Sequence, residues 1–106
     1  MSNRIRKVNE LIRERVSESI SRNISKDFFV TVIAVETARD MKNATIWVSL
    51  VGGDEKKLVK ELEDNRKQIQ KDVVSEMVSK YTPVLEFKID HSGEYAQKIQ
   101  ELLNET

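Results

Sequence analysis

The chain has 106 residues, of which 39 % are hydrophobic and 34 % charged, with 18 basic groups against 18 acidic ones. That length predicts one domain with one modest core, and overall neutrality argues against a protein that coats nucleic acid indiscriminately. The absence of cysteine excludes disulfides and thiolate metal sites. No run approaches the ~18 apolar residues of a membrane span, and no secretory leader opens the chain, so the expected compartment is the cytoplasm.

Charge is unevenly spread. Residues 1–26 carry seven basic groups against three acids, whereas residues 84–106 carry two against five. A basic front end and an acidic tail predict a polarised surface whose basic pole can meet phosphate.

Residues 4–24 place Ile5, Val8, Leu11, Ile12, Val16, Ile20 and Ile24 at steps of three and four, one face of an amphipathic helix that Ser2 or Asn3 can cap. Residues 28–38, FFVTVIAVETA, are rich in β-branched and aromatic side chains and predict a strand. Its nearly unbroken apolar interior predicts cover on both faces or a central place in the sheet. Residues 38–43 form a turn, and residues 44–51 a second strand that alternates Ala44, Ile46, Val48 and Leu50 with Thr45, Trp47, Ser49 and Val51. The short connection makes an antiparallel hairpin.

Gly52 and Gly53 break that strand, and Asp54 is placed to cap the next helix. Leu58, Val59, Leu62, Ile69, Val73, Met77 and Tyr81 then keep helical spacing, but Asn65 and Arg66 stand where the stripe needs an apolar residue. This predicts two helices, or one bent helix, with a change of direction near residues 64–67. A helix beginning at that bend would aim free N–H groups at an anion. Pro83 ends the helical run, residues 83–90 alternate as a half-buried strand, and residues 94–103 predict a short final helix capped by Asp90 or Ser92. The order helix-strand-strand-helix-helix-strand-helix predicts an α+β fold, a three-stranded sheet with helices over one face.

Catalytic chemistry has little to stand on. His91 is the one histidine and lies in a polar turn; Asp40, Asp54 and Asp90 are each explained by capping. No zinc site, phosphate loop or small-molecule substrate is expected. Trp47 is more simply a packing residue of an open sheet face than a base-stacking one. Lys57 with Glu61 and Lys60 with Asp64 have the spacing of helix-stabilising pairs. The candidate nucleic-acid-binding set is the composite basic cluster: Arg4, Arg6, Lys7 and Arg13 in the first helix, Arg39 and Lys42 in the hairpin turn, and Arg66, Lys67 and Lys71 at and beyond the proposed bend.

Several stretches in this order resemble the ribosome-binding factor A family. They are NRIRKVNELIRERVSESI with its basic opening, VTVIAVETARDMKNATIWVSL with Asp40 in the turn and Ala44 opening the next strand, YTPVLEFKIDHS, and IQELL. The resemblance implies a type II KH-like domain spanning residues 1–106. It also implies a non-catalytic assembly factor, a cofactor-free monomer, that binds the small ribosomal subunit and its 16S rRNA in late maturation and rRNA processing. In that family an alanine-x-glycine kink between two helices replaces the RNA-gripping GxxG loop. Asn65, Arg66 and Lys67 stand at that place here, so side-chain rather than backbone contact to phosphate is expected. The alternative from a different class is a protein-interaction module using the sheet face that carries Trp47.

Overall fold

A computed structural model describes residues 2–76, 82–91 and 102–103 of the chain. Helix α1 spans Ser2–Asn23, strand β1 Phe29–Thr37, strand β2 Asn43–Val51, helix α2 Glu55–Glu76 and strand β3 Val84–Ile89. The expected final helix and the end of the preceding helical run lie outside the described residues, apart from Leu102 and Leu103, which are helical and exposed. Ser2 is already helical, so α1 begins at the residue expected to cap it.

The sheet order is β1-β2-β3, with β2 antiparallel to β1 and parallel to β3. Both helices cover one face. Val32, Val35, Ala44, Ile46, Val48 and Leu85 point into that face and meet Ile12, Val16, Ile20 and Ile24 of α1 and Leu58, Leu62, Ile69 and Val73 of α2. The opposite face, with Thr31, Glu36, Thr45, Trp47, Ser49, Glu86 and Lys88, is open or half-open. Trp47 is half-buried there, with the Lys88 ammonium 5.7 Å from its ring centre, a cation–π distance.

The expected cover on both faces of β1 is not found: β1 is an edge strand with helices on one side. A β-bulge accounts for its apolar run. The register slips between Val32 and Ala34, leaving Ile33 as the extra residue. Inward pointing therefore changes phase, from Val30 and Val32 before the bulge to Val35 and Thr37 after it. The consecutive apolar residues serve one face in two phases.

Turns follow their local chemistry. Asp54 Oδ1 accepts the backbone N–H of Lys56 at 2.9 Å and lies 3.4 Å from that of Lys57, so it caps α2. Gly52 and Gly53 take φ of 72° and 86°, which the chain needs to leave β2. In the hairpin turn Asp40 Oδ1 accepts the N–H of Lys42 and Ala38 C=O accepts that of Met41. Met41 holds a left-handed φ of 62°, a conformation that costs an L-residue about 1–2 kcal/mol. Replacing Met41 with Gly should raise unfolding free energy by about 0.5–1 kcal/mol, net of the entropy glycine adds to the unfolded chain. Denaturant titration of M41G checks this, and a loss of stability would contradict it.

Helix α2 differs from expectation. It runs uninterrupted from Glu55 to Glu76, straight through residues 64–67. Asn65 does not end it; its side-chain amide donates to the Glu61 carbonyl one turn back, at 2.9 Å. Leu62 and Ile69 are seven residues apart, two helical turns, so they lie on the same face and both are fully buried without an apolar residue between them. Because no helix starts at the polar stretch, no free backbone N–H groups are presented there.

Candidate nucleic-acid interface

The packing of the elements fixes which cations can act together. The Thr37 hydroxyl, at the end of β1, donates to Asn9 Oδ1 in α1. The first turns of α1 therefore lie beside the β1–β2 turn. At 1.5 Å per residue, Arg4 to Lys7 stand about 3–8 Å along the axis beyond Asn9. Val84 N–H donates to the Lys42 C=O, so β3 begins at this same end. Gln70 of α2 reaches that start as well: its Nε2 donates to Pro83 C=O and its Oε1 accepts from Leu85 N–H, each at 2.9 Å.

The start of α1 and the β1–β2 turn thus meet at one pole, bringing together Arg4, Arg6, Lys7, Arg39 and Lys42, all exposed, while exposed Lys71 approaches that pole from the β3 side, next to Asp72, which contacts Ser19 and Asn23 farther along α1. Arg66 and Lys67 lie about one helical turn back from Gln70, roughly 6 Å along α2. Arg13 is a similar step from Asn9 toward the middle of α1, on the helix flank it shares with Arg6. Arg4 instead shares its flank with Arg15 and Arg22, whose guanidinium reaches Asp72 of α2. The pole is therefore a wrapped surface rather than one flat face, and Arg13, Arg66, Lys67 and Lys71 stand at its margin. Its ion pairs are loose: Arg6–Glu10 at 3.7 Å and Arg66–Glu63 at 3.9 Å, both solvent-exposed. Such pairs contribute ~0–1 kcal/mol and are easily exchanged for phosphate.

Two polar devices hold this arrangement, and periodicity did not reveal them. Ser19, fully buried, donates to Asp72 Oδ2 at 2.6 Å, Asn23 Nδ2 donates to the same oxygen at 3.1 Å, and Gln68 donates to Oδ1 at 2.8 Å. This network pins α1 against α2. A signal was present, since Ser19 falls within the apolar stripe between Val16 and Ile20. At the opposite end, Glu61 turns away from the expected pairing with Lys57 and accepts the Ser25 N–H. The second device is the Gln70 bridge. Nothing in the sequence distinguishes Gln70 from the solvent-facing residues around it.

Hydrogen bonds from Ser19 and Gln68, with lesser help from Asn23 and the Arg22 charge, hold the Asp72 carboxyl below its ordinary value of 3.8, against a smaller opposing effect of burial. A carboxylate whose folded pKa is depressed stabilises the fold above its unfolded pKa and loses that contribution as pH falls through the folded value. Asp72→Asn should therefore be less stable than the parent at neutral pH and should converge on it below pH 3.8. Denaturant midpoints from neutrality down to acid pH check this. A constant difference across that range would contradict it.

His91 is exposed, with Nε2 2.7 Å from Glu55 Oε1. Among the described residues no cluster of histidine and acidic groups could hold a metal ion, and no helix is long and apolar enough to cross a membrane.

The family model for ribosome-binding factor A matches residues 4–103. The chain belongs to the ribosome-binding factor A family. It is 35 % identical to ribosome-binding factor A of Geotalea daltonii over 109 residues, covering 99 % of this chain and 89 % of that protein. It is 32 % identical to that of Opitutus terrae over 108 residues, with 99 % and 88 % covered. The crystal structure of ribosome-binding factor A from Thermus thermophilus superposes with a TM-score of 0.73 at 16 % identity, over 80 % of this chain and 94 % of that one. A Thermus thermophilus ribosome-binding factor A model fitted into a cryo-EM map of a 30S complex gives 0.68 at 19 % identity, over 78 % and 91 %. These likenesses show the fold, an α+β, type II KH-like arrangement in which the three-stranded sheet carries its helices on one face. Where the family kink was expected, this member of the family keeps one continuous helix.

Proposed function

We propose that this chain is a ribosome assembly factor that binds the small ribosomal subunit and its 16S rRNA in the cytoplasm during late maturation. On this reading residues 1–106 act as a single domain and a monomer, by binding alone and without catalysis. The observation that carries it is the convergence of Arg4, Arg6, Lys7, Arg39 and Lys42 from two chain-distant segments onto one pole, with Arg13, Arg66, Lys67 and Lys71 at its rim. Exposed, loosely paired cations spread over a curved surface suit a folded RNA backbone, because each phosphate contact releases condensed counterion. Family membership and the 30S complex of the Thermus thermophilus protein support the same partner. With α2 continuous, the contacts at residues 65–67 are made by side chains. Co-sedimentation with purified immature and mature small subunits tests the proposal: binding to the immature particle that weakens with salt is expected, and no binding to either particle would refute it.

A second reading draws on the open sheet face. Phe29 and Val51 are cross-strand partners there, 72 % and 70 % exposed, on the same face as Trp47. Exposed apolar neighbours of this kind suit a protein contact. Sedimentation at two concentrations discriminates, since a stable dimer without subunit binding favours this reading.

A further inference from the structure

The cations of the pole sit on separate elements. Arg66, Lys67 and Lys71 ride on α2, whereas Arg39 and Lys42 ride on the hairpin turn. Their relative spacing depends on whatever joins α2 to the sheet at this end. Gln70 makes that join. Its amide donates to Pro83 C=O and accepts from Leu85 N–H, and the residue between them, Val84, donates to Lys42 C=O. A continuous path of backbone and side-chain hydrogen bonds thus runs from α2, through the start of β3, to the cationic turn.

The bridge also occupies the outer edge of β3. Val84 and Asp90 direct their N–H groups at the backbone carbonyls of Lys42 and Val48. Residues 83 and 85 alternate with these and face away from β2. Gln70 satisfies that outward N–H and C=O pair as a neighbouring strand would. Its amide orientation is fixed, because a carbonyl needs a donor and an N–H needs an acceptor. Gln70 is only half-buried, so removing its amide costs little apolar burial.

We infer that Gln70 is a positioning residue for RNA: it sets the spacing between the α2 cations and the hairpin-turn cations, so that the pole fits a folded phosphate array. The inference rests on the RNA-binding reading above. It separates two properties that charge alone leaves joined. Attraction to any polyanion depends on how many cations there are, whereas fit to a structured RNA depends on where they are held.

The test uses the full chain with Gln70→Met, nearly isosteric but unable to make either hydrogen bond, and Gln70→Ala as a second variant. Three quantities are read: amide exchange at Leu85, affinity for purified immature small subunits, and affinity for an unstructured oligouridine. The expected result is faster Leu85 exchange and about tenfold weaker subunit binding, with oligouridine affinity unchanged, as for loss of preorganisation without loss of charge. A merely structural role would lower both affinities together as folded protein is lost, and that outcome overturns the inference. So does unchanged subunit affinity once Leu85 protection is gone, or Leu85 protection that survives both substitutions. The triple reversal of Arg4, Arg6 and Lys7 to Glu is the control for the underlying reading: if that variant binds subunits normally, the RNA pole itself is wrong.

Discussion

Arg4, Arg6 and Lys7 reversed together to Glu should reduce small-subunit affinity about 100-fold near physiological salt, with the slope of log affinity against log salt falling by about two to three units. The three charge reversals add at this site. All three residues lie in the first two turns of α1, beside the turn that carries Arg39 and Lys42. None is needed for the core, because the inward stripe of α1 runs through Ile12, Val16, Ile20 and Ile24. Arg6 has an exposed partner in Glu10, and losing that pair changes stability little. Five basic groups become a mixture in which three repel phosphate, while folding is retained. A variant that melts like the parent but binds with unchanged slope would mean that this end of the molecule does not meet RNA. The same reversal at Lys56, Lys57 and Lys60, at the other end of α2, should affect the slope much less.

Leu62→Ala should destabilise the fold by about 3 kcal/mol, whereas Asn65→Ala, less than one turn away, should be neutral or stabilising by up to about 0.5 kcal/mol. Leu62 is fully buried among α1, α2 and the sheet. Truncating it removes apolar contact and leaves a cavity that rigid helix-on-sheet packing closes only in part. Asn65 is half-buried, and its one described hydrogen bond goes to a carbonyl of its own helix, while alanine is the better helix former. For a domain of this size the Leu62 variant should melt roughly 15 °C lower. If Asn65→Ala instead cost as much as Leu62→Ala, the polar stretch would be a structural joint, and a continuous α2 would be the wrong account of residues 61–71.

Particular residues show how much of this was legible beforehand. The hairpin could be read because alternation at Ala44, Ile46, Val48 and Leu50 has period two, which a helix cannot satisfy. The cap at Asp54 and the turn at Asp40 were equally readable, since each depends on an acid and the N–H groups two or three residues on. The bend at residues 64–67 was inferred from a gap in the stripe and is not there. Leu62 and Ile69 supply the face by themselves, and a stripe tolerates a polar residue at its margin when the helix lies on a sheet. The central placing of β1 failed for a different reason. A bulge changes the phase of a strand without changing its composition, so one-sided and two-sided burial look alike in sequence.

The candidate site divides in the same way. That Arg4, Arg6, Lys7, Arg39, Lys42, Lys67 and Lys71 are exposed cations follows from their positions off the apolar stripes or in the turn. That five of the nine candidates gather at one pole, and Arg13, Arg66, Lys67 and Lys71 stand at its rim, does not. That depends on α1 running antiparallel to α2 and on β3 starting beside Lys42, contacts between residues tens of positions apart.

The sequence by itself determined the class of elements, most of their ends and the charge each carries, because these follow from side-chain periodicity and hydrogen bonds within a few residues. The tertiary structure alone decided the strand order, the bulge, the continuity of α2 and the meeting of the cations, together with the Ser19–Asp72 and Gln70 bridges that hold them. Those outcomes are set by packing and by polar groups that find partners far along the chain, and such pairings leave no periodic trace.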